Sequence, residues 1–265
     1  MPRIIVDFSY LKGSGRDAMR NDLSGYTVLI TFELIYEIMT NSDKHNPRMY
    51  LDRLVGLDLV LSRSLIGLVN TEIKQSHRID NVLHPDSERL LEFVNGGQSI
   101  GVIPDVAQEV EESFEKNEPR RLREGLDRMW EEKHADIFTN FGSNNSDVTT
   151  DARKYLELFA PLGGQAIAGQ HGMKQSPTPG WLIYEWEQLR NFLAFRFRLK
   201  GNRSHHLSND KTLANSLVDL TYLAFLSHID AIATNEKSVA ALAEVFGPAN
   251  LKVIQGSQTI AAQVA

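Results

Sequence analysis

Asn215-Ser-Leu-Val-Asp219-Leu-Thr-Tyr-Leu-Ala-Phe-Leu-Ser-His-Ile-Asp230-Ala-Ile-Ala-Thr234-Asn-Glu236 is the stretch that decides how the rest of the chain is read. Leu217, Val218, Leu220, Leu223, Phe225 and Leu226 make its first half apolar on nearly every side, the pattern of a helix packed inside a protein. Asp219 interrupts that pattern. Aspartate is a poor helix former because its short side chain competes for backbone groups. A carboxylate withdrawn from water needs a cation or a set of hydrogen bonds. Ala231-Ile-Ala-Thr234 then reads as a short buried strand, with Glu236 two residues beyond its end.

A matching pattern stands at the start of the chain. Arg3-Ile-Ile-Val-Asp-Phe8 reads as a strand with Asp7 at its carboxyl end, and continuous apolar runs of this kind suit the inner strands of a parallel sheet. Lys12 to Asn21 is polar and predicts a loop followed by a short helix. Gly25 to Ile30 is a second strand, and Thr31 is placed to cap a helix over Phe32 to Met39. That helix carries Glu33 and Glu37 one turn apart on one face. After Glu236 the sequence predicts a helix over Lys237 to Val245, closed by Gly247-Pro248, and a last strand over Leu251 to Ile254.

The middle of the chain has a different character. Leu54, Leu57, Leu61, Leu65 and Leu68 recur at helical spacing and predict one long helix over Met49 to Val69. Pro85 to Phe93 and Pro104 to Glu115 read as further helices. Pro119 to Phe138 is a charged amphipathic stretch, in which Arg120, Arg121 and Arg123 are balanced by Glu118 and Glu124. Asn140 to Thr150 is polar and turn-rich, and the glycines and prolines of Gly163 to Gly180 predict an irregular segment. Trp181 to Phe197 returns to a helical apolar stripe. The expected organisation is an α/β core made of residues 1–40 and 205–265, with residues 41–204 as a mostly helical insertion, far longer than an ordinary loop.

Composition narrows the function. At 42% hydrophobic and 23% charged residues, the chain can bury a substantial core, and it has no apolar run of the ~20 residues that a membrane helix needs. It lacks cysteine, which removes disulfides, zinc–thiolate sites and cysteine nucleophiles together, and a cytoplasmic setting fits. A formal net charge of −6 argues against a protein held on nucleic acid by bulk charge. It is compatible with a nuclease, because acids that gather metal ions make the count more negative. The eight histidines show no metal-ligand spacing.

If the first strand and the strand before Thr234 are neighbours, Asp7 and Glu236 meet beyond the carboxyl edge of the sheet, where open α/β folds bind ligands. Glu37, or its rival Glu33, can join from the helix after the second strand, and Asp219 from the late helix. Acids converging in this way repel each other unless a hard cation sits between them, and Mg²⁺ and Mn²⁺ favour such oxygen ligands. A site of that kind activates water for in-line attack on a phosphodiester.

This arrangement resembles the PIN-like nuclease domains, which include the ribonucleases of toxin–antitoxin modules and RNA-processing enzymes. The likeness rests on Ile4-Ile-Val-Asp7, on Thr31 with Glu37 six residues later, and on Asp219 preceding Thr234-Asn-Glu236 by about a helix and a strand. It covers only the two ends of the chain. It implies a three-layer α/β/α core with a short, mostly parallel sheet, interrupted here by the helical insertion. It also implies that Asp7, Glu37, Asp219 and Glu236 are the catalytic acids, with Asp7, Asp219, Glu236 and an auxiliary Asp230 as ligands of Mg²⁺ or Mn²⁺. Glu236 stands where the family usually has Asp, and its carboxylate reaches one methylene further.

The function implied is a metal-dependent endoribonuclease acting on single-stranded RNA or tRNA, in the role of a toxin or phage-defence effector. An inhibitory protein partner and self-association belong to the same picture. Asn215, one turn before Asp219, and the basic run Arg196, Arg198, Lys200 and Arg203 are candidate RNA contacts, with Phe195 or Phe197 offering a stacking surface. A solvated helix end with both phenylalanines in the core is the alternative for that run. For the whole chain, the alternative is a non-catalytic scaffold whose helical block binds a protein.

Overall fold

A five-stranded, all-parallel sheet of strand order β3-β2-β1-β4-β5 forms the centre of the computed structural model. The structure describes residues 1–40, 47–85, 87–96, 117–129, 138, 147–199 and 210–256. The strands are β1 (Arg3–Val6), β2 (Thr27–Ile30), β3 (Leu59–Leu61), β4 (Ala231–Ala233) and β5 (Lys252–Ile254). Ile4, Ile5 and Val6 are wholly buried, as are Ala231, Ile232 and Ala233 beside them. Strands covered on both faces need such uninterrupted apolar runs.

The sheet runs outward in two directions from β1. Ile5 pairs with Leu29 of β2 on one side and with Ile232 of β4 on the other. Strand order therefore reverses between β1 and β4, and the loops leaving their carboxyl ends diverge to open a crevice. Asp7 and Thr234 are the first residues past those two ends. The neighbourhood of β1 and β4, conditional when read from sequence, is observed.

Two sequence expectations are corrected. The long helix expected over Met49 to Val69 is instead a helix Pro47–Leu54, the strand β3 and a helix Leu65–Gln75. Gly56, at φ +87°, turns the chain after the first helix, and Ser64 starts the second by accepting a hydrogen bond from Gly67 N at 3.1 Å. The sheet therefore extends past residue 40 and takes β3 from the block expected to be helical. Gly163 to Gly180 is also not irregular throughout, because a helix Val148–His171 runs through Pro161, Gly163, Gly164 and Gly169. Two of these glycines serve close packing: a Cβ on Gly163 would lie 2.1 Å from Gln188 Nε2, and one on Gly164 would lie 2.2 Å from Pro177 O. The helix stops at Gly172, which adopts φ +63°.

The remaining helices follow their patterns. Phe8–Gly13 and Arg16–Asp22 connect β1 to β2, and Phe32–Thr40 follows β2, with Thr31 Oγ1 accepting from Leu34 N at 3.1 Å. Ser87–Val94, Glu118–Met129, Leu182–Leu199, Asp210–Ala224 and Lys237–Phe246 complete the set named here. The helix expected over Pro104 to Glu115 and most of the Asn140 to Thr150 loop lie outside the described residues. Among the described residues, no helix is long and apolar enough to cross a membrane.

Candidate functional site

Asp7 leaves β1 directly into a helix, and its carboxylate is fixed at that corner. Oδ1 caps the Phe8–Gly13 helix by accepting from Tyr10 N at 2.8 Å. Ser9 Oγ donates to the same carboxylate at 2.8 and 3.0 Å, and Thr234 Oγ1 donates to Oδ2 from across the β1–β4 boundary. Both hydroxyl protons are used on Asp7, which leaves the hydroxyl oxygens free to accept. Ser9 Oγ takes Asn235 N at 3.0 Å, and Thr234 Oγ1 takes Glu236 N at 3.0 Å. Asn235 closes the corner, with Nδ2 donating to Ser9 O at 3.2 Å and Oδ1 accepting from Gly256 N at 3.1 Å. A continuous chain of hydrogen bonds thus runs from Asp7 through Thr234 to the backbone of Glu236. The Glu236 side chain is exposed and accepts from Ser238 Oγ at 3.3 Å.

A second pair forms opposite. Tyr222 lies one turn after Asp219 on the Asp210–Ala224 helix, is almost completely buried, and donates its hydroxyl to Glu37 Oε2. Asp219 itself is exposed, although Leu217, Val218, Leu220 and Leu223 around it are buried. The helix is therefore not apolar on every side: Asp219 sits at its edge, reached by solvent yet crowded enough by surrounding protein to lose much of its hydration. Glu33, one turn before Glu37, is buried, and its charge acts on Glu37 and Tyr222.

Electrostatics ties the two pairs together. Glu37 is pushed up to about 8: burial raises it most, the Tyr222 hydrogen bond lowers it, and the charges of Asp219, Asp7 and Glu33 raise it. Asp219 is pushed to about 7 by desolvation, then by Glu236 and Asp7. Asp7 also stands above its ordinary value. Burial raises it, hydrogen bonds from Thr234, Tyr10 N and Ser9 lower it, and Glu236 raises it again. Asp7, Glu37, Asp219 and Glu236 thus share one electrostatic neighbourhood at the carboxyl edge of the sheet.

Asp7, Glu37 and Asp219, each with its proton affinity raised in part by neighbouring acids, offer together with Glu236 the oxygen donors that a hard divalent cation favours. Their placement is more open than a ligand shell. Among the described residues, no group of three or more Asp, Glu or His is arranged to hold a metal ion. Asp7 and Glu37 are held by hydroxyl donors instead.

Other expected site residues stand elsewhere. Asp230 precedes β4 and accepts from Arg3 N at 2.7 Å, while its own N donates to Arg3 O at 2.8 Å. It belongs to the opposite edge of the sheet, roughly 13 Å of strand away from Asp7, so it is no auxiliary to this site. Arg196 faces the buried Asp151, with Nε 3.5 Å from Oδ2, and the Arg198 guanidinium lies 5.1 Å from the centre of the Phe138 ring. Phe195 is buried against Tyr155 and Phe159, so it offers no stacking surface, and Phe197 packs against the core. Arg196 and Arg198 thus serve packing in the helical block. Of the charged stretch beside Pro119, Arg120 meets Glu124 at 3.8 Å as an exposed pair, whereas Arg121 bonds the buried Glu118 at 2.9 Å. The side chain of Asn215, and Lys200 and Arg203 entirely, lie outside the described residues.

Ser9 and Tyr222 were not read as site residues from sequence. Each carries a local signal in retrospect: Ser9 lies two residues after a strand-end acid, and Tyr222 lies three after Asp219, on the same helical face. Comparison with family models, with curated proteins and with solved structures finds no match for this chain.

Proposed function

We propose that the chain is a metal-dependent endoribonuclease of PIN-like type, with a three-layer α/β/α core and its working crevice between β1 and β4. One observation carries the reading. The Asp7–Thr234–Glu236 chain and the Glu37–Tyr222 pair, with Asp219 a turn away, face the same topological switch point and act on one another's charge. Asp7 also caps a helix and ties β1 to β4, but gathering Glu37, Asp219 and Glu236 around it costs repulsion or proton uptake unless a cation offsets their charge. The acids do not form a ligand shell as they stand; were they to close on an ion, Asp7, Asp219 and Glu236 would hold it, with Glu37 alongside. A bound Mg²⁺ or Mn²⁺ supplies Lewis acidity and an activated water for in-line attack on a phosphodiester.

The protein's own residues supply positioning. Ser9, Thr234 and Tyr10 N lock the Asp7 carboxylate against the end of β1, and Tyr222 fixes Glu37. RNA as substrate, with single-stranded RNA or tRNA as its form, follows from the PIN-like resemblance, as do the toxin or defence role and a restraining protein partner. The open arrangement of the acids favours a second reading, a non-catalytic PIN-like scaffold whose helical block binds a protein.

Asp219→Asn separates the two. Purified protein is incubated with mixed RNA in Mn²⁺, Mg²⁺ or EDTA. The expected outcome is cleavage that requires the metal and falls at least ~100-fold in the variant. Equal cleavage by both proteins sinks the catalytic assignment. Absence of cleavage by the wild type across single-stranded RNA and tRNA supports the scaffold.

A further inference from the structure

The sheet's other edge holds a cavity of about 690 Å³, at the amino ends of β1 and β4. Arg3, Arg78, Asp80, Glu185, His228 and Asp230 supply its charged and titratable lining. These groups come from β1, from the loop after Leu65–Gln75, from the Leu182–Leu199 helix and from the turn before β4. The cavity therefore lies where the sheet meets the helical block, well apart from the crevice at Asp7.

Each acid of the lining has a partner. Asp80 Oδ1 meets Arg78 Nε at 3.2 Å, and Glu185 Oε1 accepts from Gly180 N at 2.8 Å and from Ser227 Oγ at 3.1 Å. Asp230 Oδ2 accepts from Arg3 N at 2.7 Å. The basic groups are less well satisfied. The Arg3 guanidinium makes no hydrogen bond or ion pair among the described residues. His228 Nε2 is buried without a hydrogen-bond partner. Arg3, Arg78 and His228 line the same cavity; burial first, then the Arg78 and Arg3 charges, lowers the proton affinity of the His228 ring, against the Asp80 charge and a backbone hydrogen bond with Gly180. Gly180, at φ +96°, lets Arg78 approach: a Cβ there would sit 3.3 Å from Nη1.

We propose that this cavity binds a small phosphomonoester, such as a nucleoside or sugar monophosphate, with the phosphate between Arg3 and Arg78 and against His228 Nε2. Guanidinium groups match phosphate oxygens geometrically and keep their charge at every physiological pH. A neutral imidazole presents either a donor or an acceptor to a phosphate oxygen or its hydroxyl. The volume exceeds what a bare ion needs and falls in the range of small-ligand pockets. The acids, already partnered, leave acceptor capacity for the hydroxyl groups of a sugar and disfavour a highly charged polyphosphate.

Titration calorimetry on the full chain tests this, with adenosine 5′-monophosphate, inorganic phosphate, adenosine and acetate as probes. The expected result is saturable binding of the monophosphate and weaker binding of phosphate. Acetate and adenosine should give neither. Arg3→Gln and Arg78→Gln each weaken the monophosphate by roughly tenfold or more, and thermal melts confirm that both variants fold. Asp219→Asn leaves this binding unchanged, so the result stands or falls independently of the nuclease reading. No saturation by either phosphate probe up to about 10 mM, adenosine binding as well as its monophosphate, or equal affinity in both arginine variants would overturn the proposal.

Discussion

Glu37 and Asp219 show how a single carboxyl group records its surroundings. Both are pushed up, to about 8 and about 7, by desolvation and by neighbouring acids. The folded protein therefore binds more protons than the unfolded chain over the interval between ordinary carboxyl values and about pH 8. Stability must fall with rising pH across that interval, because ionisation is easier in the unfolded state. It is fully present below about pH 4 as far as these two groups are concerned, and lost by about pH 8. Denaturant titrations in EDTA should show this decline, and Glu37→Gln should flatten much of it. Mn²⁺ favours the ionised acids, so it should raise the melting temperature more at pH 8.5 than at pH 5.5. A melting temperature indifferent to Mn²⁺ at both values would count against a cation at the crevice. Tyr222→Phe probes the same group from its partner's side. It removes a buried donor at a cost of about 1 kcal/mol, and the loss should be larger at pH 9, where Glu37 is ionised, than at pH 5. An equal loss at both would mean that the hydroxyl serves packing alone.

At the scale of elements, the buried acids of the helical block act as fasteners. Glu72, wholly buried on the Leu65–Gln75 helix, accepts from Ile79 N at 3.0 Å and from Ile183 N at 2.9 Å. It satisfies an orphan amide in the first turn of Leu182–Leu199, which otherwise has no intrahelical partner. Glu72→Ala should cost about 3 kcal/mol, because two amides lose their acceptor and one of them is buried. Urea denaturation measures it, and a cost within experimental error would show that water replaces the carboxylate. The elements also show which signals a sequence carries. β1 and β4 are legible because a strand covered on both faces must be apolar at every position, and no helix of that length survives alone. The third strand is illegible because Leu57, Leu61 and Leu65 keep helical spacing across it, while Gly56 carries the contrary signal. Gly163 and Gly164 mislead for a similar reason: glycine signals either a turn or a close approach, and only the neighbouring helix decides which. Asp7 and Glu236 are picked out by their places just past strand ends and Glu37 by its helix after β2, whereas Asp219 is picked out as an acid in an apolar helix and in fact lies on that helix's exposed edge. The misplacement of Asp230 comes from the opposite edge of the same strand, which spacing alone does not distinguish.

For the whole molecule, the question is whether the two ends of the chain form a unit without the middle. The packing argues that they do not. β3 closes the sheet beyond β2, with Ser62 N donating to Ile30 O at 2.8 Å and Val28 N to Asp58 O at 2.7 Å. The Asp210–Ala224 helix, which carries Asp219 and Tyr222, packs on both Leu182–Leu199 and Glu118–Met129, and Lys237–Phe246 packs on Val148–His171. The block is itself pinned from within. Arg190 bonds Glu118 at 3.1 Å and also Glu187, all three being buried, and Glu187 meets His171 Nε2 at 3.3 Å. Removing residues 41–204 would expose apolar faces of the late helices and unpair one side of β2. Each fully buried leucine or phenylalanine so exposed costs about 1.5–3 kcal/mol, and a handful of them consumes a typical total stability of about 5–15 kcal/mol. A chain joining residue 40 to residue 205 should therefore lack a cooperative thermal transition and should bind a hydrophobic dye such as ANS at all temperatures. A sharp melt without dye binding would instead show that the ends fold alone. The helical block would then be a separable appendage, and the placement of Asp219 would owe nothing to it.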